Sequence, residues 1–390
     1  MNRSTRTLFI AALLVLGVVL SMEPAWADRL QDAIKLTPEG TGAGQINPAT
    51  QTGFLDIPGA PSINLVLGFF WAIWVGWIFS TVGAFGGIMA GVGHITIYGI
   101  GDYAGTFKKS SPVMNKLLTD SIRVSNQWLV GISAAISSYN YFRMGRLVLP
   151  LGLALAIGSV SGSYLVPWLS AGKVSLKAYL GFFGFFVLFL GCYLYWETTP
   201  SGQKGKAKAK AAAKAFEDSV RKQNIGETKK EEKEEASKGV EVVSFSLTKV
   251  VFTFYGVEFS FNPLIPVLGG FCIAALASFL GVGGGFLLVP FLTSIAGLPM
   301  YLVAGTSALA VLVGMTTSVY TYMIVKDTPV FWPLIGVELA GIVVGSFIGP
   351  RTSKYIPERW LKLLFVVLAM YVGIRYITKG FLGYSIVPPF

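Results

Sequence analysis

The chain has 390 residues, of which 53% are hydrophobic and only 13% charged, and its mean hydropathy is +0.63. That balance excludes an ordinary soluble domain and places the chain among polytopic membrane proteins. The formal net charge of +11 does not call for a nucleic-acid partner, because basic residues of membrane proteins gather on cytoplasmic loops during insertion; one histidine and two cysteines exclude a multi-histidine metal site and a disulfide framework.

Arg3 and Arg6 precede the apolar run Leu8 to Leu20, and Ala25-Trp26-Ala27 follows. This is the order of a secretory signal peptide over residues 1–27, with cleavage before Asp28; left uncleaved, the run would be an extra anchor. Either way, residues 28–61 read as an extracytoplasmic arm. No Asp, Glu, Lys or Arg occurs between Asp56 and Asp102, Arg146 and Lys173, Lys177 and Glu197, or Glu258 and Lys326. A span takes about 20 apolar residues, so each stretch holds a crossing, and the first and last hold two elements each. Helices are predicted over 62–101, 122–142, 147–169 and 176–196, and the order repeats over 263–297, 301–325, 331–350 and 361–377.

The repetition reads as an internal duplication, with transmembrane repeats over 62–196 and 262–390. Pro150, Gly158, Gly162, Ser163 and Pro167 recur 183 positions later as Pro333, Gly341, Gly345, Ser346 and Pro350. Small residues at that spacing let helix backbones approach closely in lipid, where apolar burial gives little drive. The expected fold is an all-α polytopic membrane protein of two pseudo-symmetric helical repeats, with a connector over 197–261. The Lys/Ala-rich and Lys/Glu-rich part of the connector cannot bury a core and reads as a mobile or partly helical tether. Its last part, 241–261, alternates apolar residues around Tyr255-Gly256 and predicts a small β-hairpin that packs on the membrane body or on a copy of itself.

Each repeat opens on a glycine-broken apolar segment, Gly83-Ala84-Phe85-Gly86-Gly87 and Gly281-Val282-Gly283-Gly284-Gly285. Lipid offers no hydrogen-bond partners, so non-helical backbone at membrane depth needs protein or a water-filled cavity around it, which marks a transport site. If each broken segment turns back on itself, the repeats are inverted and the connector is cytoplasmic with Arg143 and Arg146. If each crosses once, the repeats are parallel and the connector is outside. The inverted arrangement is the favoured one, since Arg143 and Arg146 in a short loop fit the positive-inside rule.

The stretch GVGGGFLLVPFL from Gly281, followed by YLVAGTSA from Tyr301, resembles the signature of the sulfite exporter TauE/SafE family. Ser125-Asn126 stands at the matching Thr-Asn position of the first half, and Tyr141 to Arg146 matches the family's Tyr-x-Arg-x-Gly-Arg loop. Two residues depart from the pattern: Phe85 replaces a glycine and Val92 a proline. The first half also has about 16 extra residues before Ser125, including Lys108, Lys109 and Lys116. The resemblance implies a bacterial inner-membrane, multi-pass permease for small sulfur oxyanions or organosulfonates. Its implied partners are the anionic substrate and the lipid bilayer, with a homo-oligomer left open and no cofactor.

Under that resemblance, Gly86, Gly87, Gly283, Gly284 and Gly285 would bring backbone amides to the anion, and Ser125, Asn126, Thr306 and Ser307 would add neutral donors. Helix packing is the alternative use of these glycines. Arg123 is either a fixed cation for the anion or its gate, or a residue that snorkels to the interface and pairs with Asp120. Glu338 is either a proton-coupling carboxylate or a structural partner, and His94 either a proton relay or a satisfied buried imidazole. Trp71, Trp74 and Trp77 stand at helical spacing and read as packing or interfacial anchors. A passive anion channel and a non-transporting scaffold remain the alternatives to a transporter. No nucleophile with a base and no P-loop occurs, so neither an enzyme nor an ATPase is expected.

Overall fold

The computed structural model describes residues 26–170, 176–202, 206–225, 239–280 and 285–387, and the fold is that of these residues. Residues 1–25 of the expected signal peptide lie outside them, as do Gly283 and Gly284. The described chain is mostly helical. An arm helix α1 (Trp26–Lys35) is followed by α2 (Leu65–Val82), α3 (Gly86–Val92), α4 (Ile100–Ser110), α5 (Pro112–Arg143), α6 (Leu149–Ser170) and α7 (Leu176–Glu197). The connector holds α8 (Ala207–Ile225) and three strands, β1 (Val240–Phe245), β2 (Val250–Phe254) and β3 (Val257–Phe261). The remainder is α9 (Leu264–Leu280), α10 (Gly285–Pro290), α11 (Met300–Tyr320), α12 (Trp332–Ser353) and α13 (Glu358–Phe381). Four helical stretches, Leu65–Val82, Met300–Val325, Trp332–Ser353 and Glu358–Phe381, are each long and apolar enough to cross a membrane. The chain is a multi-pass membrane protein.

The first glycine break reverses the chain. Asn64 caps α2 by accepting from the backbone of Val66 and Leu67 at 3.0 and 3.1 Å, and Gly83 ends it with φ 77°. Phe85 then adopts φ 65°, a left-handed conformation that costs an L residue roughly 1–2 kcal/mol. Its ring packs edge-on to Phe365 with centroids 4.8 Å apart, so aromatic burial offsets what a glycine would have avoided. α3 returns along α2: Trp71 Nε1 donates to the Met89 carbonyl at 3.1 Å, and a Cβ on Gly86 would crowd the Phe79 ring. The return ends in a π turn, Gly93–Ile97, closed by Tyr98 N to Gly93 O at 2.9 Å. The second break is followed by α10 and its own π turn, Phe291–Ile295, whose first ring sits against Gly269 of α9.

Two close crossings hold the bundle together. Side chains added at Gly341 and Gly345 of α12 would strike the backbone of Phe69, Ile73 and Trp77 on α2. Those added at Gly158 and Gly162 of α6 would strike the backbone of Val267, Phe271 and Ala275 on α9. Both pairs run parallel. α5 and α11 pack antiparallel, with Gly131 against Met315 and Gly305 against Tyr141, as do α7 and α13, with Gly184 against Ile377 and Gly191 against Ala369. The arm lies at one end of the bundle, where Phe54 meets Phe331 with ring centroids 5.5 Å apart. The connector lies at the other, where Val240 N donates to Gly145 O at 2.7 Å.

Two expectations are corrected. The connector carries a three-stranded antiparallel sheet in the order β1-β2-β3, not a hairpin. The apolar run Val250 to Phe254 is its middle strand, with Val250, Phe252 and Phe254 buried, whereas Val243, Phe245 and Leu247 are exposed at the edge. Tyr255-Gly256, both at positive φ, forms the tight turn only between β2 and β3. The helix expected over 122–142 begins ten residues earlier: Ser111 caps it by accepting from Met114 N at 3.4 Å, and Pro112 fits its first turn. The extra residues of the first half are therefore helical, in α4 and the start of α5.

Candidate functional site

Four side chains, two from the π turn after α3 and its end, one from α5 and one from α12, converge in the interior. Glu338 is fully buried on α12, and its Oε2 lies 3.0 Å from His94 Nε2. Tyr98, which follows the π turn, donates its hydroxyl to Glu338 Oε1 at 3.0 Å. His94 Nδ1 lies 2.6 Å from Asn126 Oδ1 and 3.1 Å from the carbonyl of Ala90. A backbone carbonyl only accepts, so Nδ1 carries a hydrogen. One further proton is then shared along Nε2···Oε2, as imidazolium beside carboxylate or imidazole beside carboxylic acid. The π turn aims His94 here, and such turns recur at functional sites because they re-aim side chains within a helix. At its far side Thr96 accepts from the buried Arg375 at 2.8 Å, and Arg375 also reaches the Tyr371 hydroxyl at 3.2 Å.

A polar seam leads away from this cluster between α5 and α12. Asn126 and Tyr141 are 15 residues apart on α5, as are Glu338 and Ser353 on α12, about 22 Å of helix in each case. Midway, the Ser133 and Ser346 hydroxyls bond at 2.7 Å. At the far end Tyr141 donates to Ser80 O at 2.6 Å, and Ser353 Oγ lies 3.2 Å from the Tyr141 hydroxyl. Arg146 is buried at that end, with Nε on Tyr301 O at 3.2 Å and Nη1 on Pro350 O and Ser353 Oγ at 3.3 Å. The guanidinium carbon lies 4.8, 5.1 and 5.4 Å from the ring centroids of Tyr141, Phe216 and Tyr301. No carboxylate pairs with it among the described residues.

The other expected residues fall in different settings. Ser307 Oγ donates to the carbonyl of Gly83 at 3.1 Å, and a Cβ on Gly285 would come within 4.0 Å of the same carbonyl, so the two glycine breaks meet. Thr306 Oγ1 accepts from Val148 N at 3.2 Å and caps the start of α6. Both hydroxyls are fully buried and engage backbone of the first half. Ser125 Oγ is buried with no partner among the described residues. Gly86 and Gly87 form the first turn of α3. Arg123, about a third exposed, pairs with Asp120 at 3.1 Å, the snorkelling alternative's partner. Sequence reasoning missed Tyr98, whose i+4 spacing from His94 puts both on one helical face, and Arg375, an arginine inside an apolar run.

The sequence pattern of the family described as "Sulfite exporter TauE/SafE" matches residues 69–376. A "probable membrane transporter protein" of Methanocaldococcus jannaschii is 33% identical over 116 residues, which cover 28% of this chain and 43% of that protein. No solved structure matches the chain.

Proposed function

The chain belongs to the sulfite exporter TauE/SafE family, and on that premise we propose that it is a secondary transporter of the bacterial inner membrane that exports a small sulfur oxyanion or organosulfonate. The observation that carries this reading is the buried contact between His94 and Glu338, an ionisable pair held between helices that lie 244 positions apart in the chain. With one proton shared the pair is neutral overall, and with a second proton on the carboxylate it is a net cation. In an interior of low dielectric that extra charge is costly unless an anion accompanies it, so proton occupancy and anion occupancy favour one another. Tyr98 and Asn126 hold the two groups in line for the exchange.

The proposed anion site lies where the two breaks meet. Gly86 and Gly87 would serve it from the first half, and Gly283, Gly284, Gly285, Thr306 and Ser307 from the second; Ser125 and Asn126 stand about 22 Å of helix away, at the level of His94, and would serve the anion there. Ser125 Oγ, buried without a partner among the described residues, is the hydroxyl free to take an anion beside the His94 cluster. Thr306 and Ser307 would be released when Val148 and Gly83 move, which ties anion binding to relative motion of the halves.

Two observations support reading the halves as inverted repeats that alternate access by rocking. Gly158 and Gly162 meet α9 as Gly341 and Gly345 meet α2, and the two glycine-led helices that follow the breaks each end in a π turn. Arg143, Arg351, Lys354 and Arg359 share the connector end, which we assign to the cytoplasm. Arg123, paired at the other end, would be peripheral to transport.

The test is flux in proteoliposomes with sulfite, sulfoacetate, taurine and thiosulfate, with and without a pH gradient. Saturable, gradient-driven flux of at least one of these is expected, and Glu338→Gln should remove its dependence on the gradient. Unsaturable conductance would instead favour a passive channel, and no movement of any sulfur anion would overturn the substrate assignment.

A further inference from the structure

The buried guanidinium of Arg146 is covered from the connector side by Phe216. α8 presents Ala209, Ala212, Ala213 and Phe216 as its buried face, so Phe216 is its one large apolar anchor. Its ring also packs on Phe254, Tyr255 and Tyr301, with centroids 6.0, 5.4 and 4.3 Å away, and polar contacts complete the docking. Glu217 Oε1 accepts from the Tyr301 hydroxyl at 2.8 Å and from Glu358 N at 3.0 Å, and Lys206 reaches Thr293 O at 3.0 Å and Glu197 at 2.5 Å. Burial pulls the Lys206 ammonium's pKa down although Glu197 beside it acts in the opposite sense. Beside this contact a crevice of about 420 Å³ between α8 and the first turn of α13 is already open, lined by Lys210, Lys214, Asp218 and Arg359 among others. A helix seated by three alanines, Phe216 and the partly buried Val220, with replaceable polar contacts, is held less firmly than the membrane helices, because it buries fewer large apolar side chains.

We propose that α8 is a reversible lid, and that lifting it opens an anion-binding site on Arg146. The inference rests on the transport reading above and names the cytoplasmic reception site for the same anion. With Phe216 withdrawn, the guanidinium keeps its bonds to Tyr301, Pro350 and Ser353 and so stays positioned, while the side that Phe216 covered is freed for an anion. A buried cation without a carboxylate partner is the group that gains most from a small oxyanion, since the anion supplies the counter-charge the fold withholds. With the lid docked, Phe216 replaces the anion by a cation–π contact, which holds the charge without competing permanently for the site. In the adjoining crevice Lys210, Lys214, Arg359 and Lys362 outnumber Glu217, Asp218 and Glu358 by one, and this small excess of positive charge would draw the anion toward it.

Arginine modification by phenylglyoxal, read at Arg146 by peptide mass spectrometry on the full-length protein in liposomes, tests both parts. Phe216→Ala should raise the modification rate at Arg146 at least tenfold over wild type without altering that at Arg143, and added sulfite should slow it severalfold. A wild-type rate at Arg146 in this variant, or no protection by sulfite, thiosulfate or sulfoacetate, would overturn the proposal. A second arm closes the lid: in a Cys192→Ser, Cys272→Ser background, Asp218→Cys with Arg359→Cys, bridged across the crevice by a bis-maleimide, should lower sulfur-anion flux at least tenfold relative to the unbridged protein. Full flux after bridging would sink the lid even if the protein proves to be a sulfur-anion exporter, whereas absence of flux in the wild type would sink the exporter reading itself.

Discussion

Where α2 crosses α12, Gly341 and Gly345 rest on the backbone of Phe69, Ile73 and Trp77; where α9 crosses α6, Gly158 and Gly162 rest on that of Val267, Phe271 and Ala275. The two crossings are alike in backbone and differ in what they enclose. The spacing that carries Gly341 onto Gly158 carries Glu338 onto Leu155, and the one that carries Ile73 onto Phe271 carries His94 onto Leu292. Leu155 and Leu292 are both fully buried in the apolar core. One crossing therefore holds an ionisable pair, and at the corresponding positions the other holds leucine. Backbone approach and chemistry are separable: glycine sets the first, and it leaves the second free to differ.

The largest effect that would break this comparison is on the glycines. Gly345→Leu and Gly162→Leu should each abolish folded protein, because the added side chain meets a neighbouring backbone that cannot retreat. Size-exclusion profiles in detergent would show it, and a normal profile for only one of the two would mean that the crossings are not equivalent. Next comes the pair. Glu338→Leu should destabilise by about 3–5 kcal/mol, since removing one partner leaves the other buried and unpaired. His94→Leu added to it should recover much of that loss while flux remains insensitive to a pH gradient. Thermal unfolding together with proteoliposome flux separates these outcomes, and gradient-driven flux in the double variant would refute the coupling role.

Ser307→Ala should cost about 1 kcal/mol, the usual net worth of one hydrogen bond, and should loosen the contact between the two breaks. Hydrogen exchange of the amides that follow Gly83 would report it, and unchanged exchange would show that the clasp is dispensable. The smallest change is expected for Arg123→Ala. A partly exposed i,i+3 ion pair contributes about 0–1 kcal/mol, so stability should barely move, and transport should persist if this arginine lies off the path.

Particular residues show what could be read in advance. The breaks themselves were legible, since Gly83 and Gly86 stand out in an apolar run. The reversal at the first of them was not, because hydropathy has no direction and a crossing and a hairpin have the same composition. His94 and Glu338 were each visible as ionisable groups in apolar surroundings, but nothing local announces a contact between positions so far apart. Thr306 and Ser307 were legible as donors, yet their partners are the backbone of Val148 and Gly83 in the other half. The middle strand of the connector, Val250–Phe254, went unread because Val251 interrupts the alternation of Val250, Phe252 and Phe254, whereas the flanking alternations at Val243 and Phe245 and at Val257 and Phe259 were legible.

The amino-acid sequence by itself determined that the chain lives in a membrane, where its long apolar helices lie and which glycines permit close packing. These follow from local quantities: hydropathy over about 20 residues, the missing side chain of glycine, and the cost of charge in lipid. The tertiary structure alone decided that the first broken segment turns back and that His94 and Glu338 meet in the interior. It also decided that Arg146 is sealed under Phe216. Each of these is a contact between distant segments, and such contacts arise only when the burial and hydrogen-bonding demands of the whole bundle are met at once.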